Sequence, residues 1–151
     1  MGLRSTFKTN ATKEVEGVDI VVSMNEHNNQ PISIRVARMS RSNKRYAKAL
    51  EEATRPHSAA IANETLDNDL GNALLRNVFV DTILLGWTNL PKSELTGDEA
   101  DSDLLPFTRE NAIALFDEMP DMYDDWEKRA KATANFRDAE REKAAGNSRK
   151  S

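Results

Sequence analysis

Apolar and polar residues alternate twice near the start of the chain: Val18, Ile20 and Val22, then Ile32, Ile34 and Val36, with MNEHNNQP between them. A period of two in β-branched residues around a turn-forming connection predicts a β-hairpin over residues 14–37. Pro31 fits the first residue of the returning strand or an edge, because proline has no N–H to give to a ladder. A lone hairpin is marginal in water, so its apolar face must pack on helices.

Beyond residue 40 the period lengthens. Ser40 or Ser42 is placed to cap a helix running to about Thr54, with Tyr46, Ala49, Leu50 and Ala53 inward. Arg55-Pro56 closes it, since the residue before proline is steered away from helix. His57 to Asn63 permits a helix without demanding one. Leu66 to Trp87 is the most hydrophobic stretch: Leu70, Leu74, Val78 and Leu85 mark one helical face, Leu75, Phe79 and Ile83 widen it, and Gly86 stands as the stop. The run VFVDTILL has the composition of a buried strand, but length and upstream spacing favour helix throughout. Thr88 to Asp103 reads as a long acidic loop. Thr108 then caps a helix whose stripe is Ala112, Leu115, Phe116 and Met119. Pro120 ends it or opens the next, and Asp121, Asp124 and Asp125 crowd the following first turn. That last helix is expected over Asp121 to Ala145, with Trp126, Ala130, Thr133 and Phe136 inward.

The pattern predicts an α+β fold, mostly α, with an N-terminal β-hairpin packed on a bundle of about four helices and a polar C-terminal tail. Residues 1–12 are expected to be flexible, 13–137 to form a single globular domain, and 138–151 to be a helical or disordered tail. A chain of 151 residues suffices for one core. Composition narrows the function more than the fold. Hydrophobic residues make up 38% and charged residues 30%, with a net charge of -4. That balance argues against bulk nucleic-acid binding, which needs excess Lys and Arg to displace counterions. There is no cysteine, hence no disulfide framework or thiolate metal site. The opening MGLRSTFKTN has no apolar core of a signal peptide, so a cytoplasmic protein is expected.

Candidate chemistry is sparse. His27 and His57 have no Cys, His or Glu partner at metal-ligand spacing. Asp98, Asp101 and Asp103 suggest a calcium loop, but an EF-hand counted from Asp98 would place Asp103 at its glycine and Arg109 at its closing carboxylate. No phosphate-binding glycine loop or nucleophile motif is present. No catalytic, cofactor-binding or metal residue is therefore assigned. The basic run Arg35, Arg38, Arg41, Lys44, Arg45 and Lys48 reads as solvated charge before it reads as a phosphate contact. Trp87, Leu104, Leu105 and Phe107 flank the polar loop and form the candidate edge of a partner-binding groove.

The order of these pieces resembles the tail assembly chaperones of tailed bacteriophages, the long non-contractile-tail type especially. The matching stretches are FKTNATKEVEGVDIVV, ISIRVARMSRSNKRYAKALEEATRP, LLRNVFVDTILLGWTNL and LPFTRENAIALFDEMPDMYDDW, followed by a helix with NFR. One departure is visible: DEADSDLLPF lacks the glycine and first proline that similar sequences carry before L-P-F. The resemblance implies a non-enzymatic protein without cofactor. It would bind the tape measure protein and keep it soluble in the host cytoplasm while the tail tube assembles, and be absent from the mature virion. Further implied partners are the tail tube protein and a frameshift-extended form of the chain itself, but neither a membrane nor nucleic acid. The alternative is a structural tail component of terminator or connector type. A weaker third reading is a nucleic-acid-binding regulator acting through Arg38–Lys48.

Overall fold

The computed structural model describes residues 2–137, so the expectations for the tail at 138–151 lie outside the described residues. The fold is α+β and mostly α. Two short helices, α1 (Leu3–Phe7) and α2 (Ala11–Glu16), lead into a hairpin of β1 (Val18–Asn25) and β2 (Gln30–Val36). There follow α3 (Lys44–Thr54), a 3-10 turn at Arg55–His57, α4 (Ser58–Ala62), α5 (Asn68–Thr82) and β3 (Leu84–Thr88). The chain ends through α6 (Ser93–Thr96), α7 (Arg109–Glu118), α8 (Pro120–Lys131) and a 3-10 turn at Thr133–Phe136.

The hairpin forms where the period of two places it. Val18 faces Val36 and Ile20 faces Ile34 across an antiparallel ladder, with a bulge between Val21 and Ser23. Ile32, Ile34 and Val36 are buried, with Val18, Ile20 and Val22 packed against them, while Val21 and Met24 point away and are exposed. Pro31 lies next to the start of β2, beyond the last residue paired with β3, so its missing N–H costs no ladder bond there.

The first correction concerns Leu66 to Trp87, expected as one helix. Helix α5 stops at Thr82, and Leu84–Thr88 joins the sheet as a third strand, antiparallel to β2, in the order β1-β2-β3. Gly86 is therefore no helix stop; it sits in the strand opposite Arg35. The Thr82 hydroxyl bonds back to the Val78 carbonyl at 2.7 Å, a local competitor of the helix ladder. The open edge of β2 supplies what periodicity could not foresee: a row of N–H and C=O groups awaiting a partner.

Two further corrections have local causes. Asn43, rather than Ser40 or Ser42, caps α3: its side chain accepts from the Tyr46 N–H and donates to the Arg38 carbonyl at 2.9 Å. The last helix ends at Lys131, not Ala145. The carbonyl of Ala130, which a longer helix would use, accepts the Met39 N–H at 2.9 Å, and Asn135 Nδ2 takes the Arg129 carbonyl at 2.9 Å. Ahead of the hairpin the chain forms α1 and the start of α2, and the Asn10 N–H donates to the Phe136 carbonyl at 2.7 Å.

The core sits between the sheet and helices α5, α7 and α8. Thr108 caps α7 as expected, accepting the Asn111 N–H, and Pro120 opens α8. That corner brings Phe116 edge-on to Phe79, Tyr123 and Trp126, with centroids 5.8, 5.2 and 5.6 Å away. Tyr123 is buried, and Arg76 lies over its ring at 5.6 Å. Its hydroxyl lies beside the Glu127 carboxylate without reaching hydrogen-bond geometry. Burial first, and then Glu127, holds the phenol well above its ordinary value of 10.0; burial also raises Tyr46. Both folded phenols keep a proton that the unfolded chain releases at about pH 10. Their contribution is complete below that pH and is lost as pH rises above it. The urea midpoint is thus expected to fall steeply above pH 10, and a Tyr123→Phe chain to fall less steeply. Equal slopes would exclude Tyr123 as a cause.

Candidate functional site

The four residues singled out between the end of β3 and the start of α7 meet in space. Trp87 and Phe107 stack edge to face, centroids 4.8 Å apart at 89°. The indole Nε1–H donates to the Leu105 carbonyl at 2.8 Å, so the ring is held by packing on one side and a hydrogen bond on the other. Two short backbone links close the base of the loop: the Leu105 N–H to the Leu90 carbonyl at 2.8 Å, and the Lys92 N–H to the Asp103 carbonyl at 2.7 Å. Pro91 and Leu104 form an isolated antiparallel bridge. The roles of the four then divide. Leu105 is buried and serves the core, whereas Leu104 is 53% and Phe107 38% exposed, with Trp87 half-buried behind them. What reaches solvent is a small ledge of one aliphatic side chain and two rings.

The ledge rests on an asparagine clamp that periodicity does not reveal. Asn89, in the left-handed region at φ 62°, directs its amide to the Gln30 and Pro31 carbonyls at 3.2 and 3.1 Å. Fully buried Asn25 donates to the Asn89 carbonyl at 3.1 Å and accepts the His27 N–H at 2.9 Å. Asn28 adds a 2.6 Å bond to Asn89 Oδ1. The hairpin turn is thereby tied to the strand end that carries Trp87. The one signal in the sequence was the density of asparagine in NEHNNQ and TNL, since asparagine tolerates positive φ and bonds its own neighbourhood.

The remaining candidates are scattered. His27 contacts Ser93 Oγ at 2.9 Å, and His57 closes the 3-10 turn, far along the chain from it. Among the described residues no group of three or more His, Cys, Asp or Glu is placed to hold a metal ion. Of the acidic loop, Asp98 and Asp101 use side-chain oxygens on the N–H groups of Ala100 and Asp103, at 3.1 Å each. Half of the basic run is occupied internally: Arg35 pairs with Asp19 at 3.1 Å, Arg38 lies over the Phe136 ring at 5.4 Å, and Arg45 donates to the Asp81 carbonyl at 3.0 Å.

A family model described as the YdaY prophage protein matches residues 41–147. That span contains α3 to α8, β3 and the whole ledge, and leaves out the hairpin. No curated protein and no solved structure matches the chain.

Proposed function

The chain belongs to the YdaY prophage protein family and is phage-derived, and from that premise we propose that it is a tail assembly chaperone, binding the tape measure protein without catalysis. The observation that carries the reading is the ledge: Leu104, Phe107 and Trp87 present apolar surface on a loop pinned by Trp87 Nε1 and the asparagine clamp. A holdase gains from such a preformed surface. It spends little ordering entropy on each contact and can engage a long helical filament at many weak points. The ordered resemblance of four stretches to tail assembly chaperones supports the same reading. On it the protein acts in the host cytoplasm and leaves before the virion is complete.

Co-expression with the tape measure protein tests the proposal. Phe107→Ala removes the exposed ring and leaves the Trp87 hydrogen bond in place. It is expected to cost about 2 kcal/mol of binding, about thirtyfold in affinity, and with it most of the soluble tape measure. Trp87→Ala is expected to lose solubilisation as well, with an added cost in stability because the Leu105 carbonyl loses its donor. Full solubilisation by a folded Phe107→Ala chain would remove the ledge from the mechanism. Mass spectrometry of purified particles separates the structural alternative: a fixed copy number in the virion would replace the chaperone reading with a tail component.

A further inference from the structure

A second apolar surface opens between the hairpin and the α7–α8 corner. Val22 of β1, Leu90 after β3, and Leu115, Met119, Met122 and Trp126 from the corner line a groove of about 220 Å³. That is smaller than the about 300 Å³ at which small-molecule sites begin, and open along one side. It suits one or two side chains delivered by another polypeptide. Met119 and Met122 are only partly buried, and unbranched thioethers adapt to anchors of differing shape.

The charge around the groove specifies the kind of visitor. The exposed carboxylates of Glu94 and Asp125 stand on its lips. They belong to the stretch 92–125, which holds eleven acidic and two basic residues, whereas the rest of the chain holds fourteen acidic and nineteen basic. The negative charge of the chain is thus gathered on the segment that supplies half of the groove, including both of its carboxylates. Asp125 is paired with Arg129 at 2.8 Å and Asp117 with Arg76 at 3.3 Å, so two of the eleven carboxylates are offset from outside the segment and its excess of acid over base stays large. An acidic rim around an apolar cleft attracts a cationic partner at long range and desolvates its apolar side chains at short range.

We propose that this groove docks an amphipathic helix whose apolar anchors, spaced i and i+3 or i+4, are flanked by lysine or arginine. The inference goes beyond the chaperone reading and stands on the groove and its charge, whichever protein supplies the helix.

The test uses the full chain with methionine methyl groups labelled for NMR. Two helical peptides of about 18 residues serve as probes, long enough to hold helix once bound. One is built from Leu, Ala and Lys; its twin has every Lys replaced by Glu. The cationic peptide is expected to shift the Met119 and Met122 methyls and to leave Met24 and Met39, which lie outside the groove, in place. The acidic twin is expected to shift none at the same concentration. Met122→Glu adds negative charge while obstructing the cleft, so groove docking and diffuse attraction predict opposite signs. At least tenfold weaker binding supports docking; unchanged or tighter binding overturns it. If Met122→Glu fails to fold by circular dichroism, Val22→Glu and the methyl map of the unaltered chain decide. Equal response to both peptides, or shifts that bypass Met119 and Met122, overturns the proposal. So does movement of those methyls with protein concentration alone, which would assign the groove to a second copy of the chain. A chain that docks the cationic peptide but fails to solubilise the tape measure keeps this inference and loses the chaperone reading. The reverse result does the opposite.

Discussion

Replacing Phe116 with alanine is expected to cost about 3–5 kcal/mol, the range for deleting a buried phenylalanine. The size follows from its position. Phe116 is fully buried and touches Phe79, Tyr123 and Trp126 edge-on, so one ring joins α5, α7 and α8. Its removal loses three aromatic contacts, each worth about 0.5–1.5 kcal/mol beyond area burial, and leaves a void that three rigid neighbours fill poorly. Against a total of about 5–15 kcal/mol for an ordinary domain, such a loss is a large fraction of what holds the chain folded. The thermal midpoint is expected to fall by about 10–15 °C. Phe116→Leu, which keeps most of the volume, is expected to lose less than half as much. Urea denaturation of the three chains checks the order; equal midpoints for Phe116→Ala and the parent would show that α7 contributes little to the core.

Gly17→Ala is the second large effect, expected at about 2–4 kcal/mol from one added methyl group. Two costs combine. Gly17 links α2 to β1 at φ 87° and ψ 171°, a region almost confined to glycine that another residue reaches at a cost of about 1–3 kcal/mol. A Cβ there would also lie 2.9 Å from the Val36 carbonyl oxygen and 2.8 Å from Leu85 Cδ1. The leucine can rotate away; the carbonyl belongs to the central strand and cannot. The ladder at Val18 and Val36 must therefore separate. Exchange of the amide hydrogens at the start of β1 reads the effect directly: protection there is expected to drop more than protection in α7. A methyl tolerated without loss of stability would mean that the α2–β1 junction is loose.

How much of this was legible in the chain differs by element. The hairpin was, because β-branched residues at a strict period of two leave little choice of face. The α7–α8 corner was, because Thr108 and Pro120 act locally, one as a cap and the other as a donor-less first residue. Strand β3 was not. Val78 to Trp87 is apolar apart from Asp81 and Thr82, too continuous for either period to show, and the vacant edge of β2 decides where helix ends and strand begins. The end of α8 was hidden for the same reason, since the Met39 N–H that claims the Ala130 carbonyl comes from 91 positions earlier. Of the candidate ledge, the proximity of Trp87 to Phe107 could be anticipated from their places on either side of one loop. The inward turn of Leu105 beside an exposed Leu104 could not: adjacent leucines look alike until the Leu90 carbonyl fixes which one faces the core.

The sheet has a consequence in time. Its middle strand, β2, is synthesised well before the strand that covers its far side, with all of α3 to α5 in between. At about 5–20 residues per second, a ribosome needs about 3–10 s to deliver β3 after β2 has emerged. Throughout that interval the hairpin shows a bare backbone rim to its surroundings, and any neighbouring nascent strand can add to it. A protein whose proposed task is to prevent the clumping of another chain is itself most exposed to that fate during its own birth.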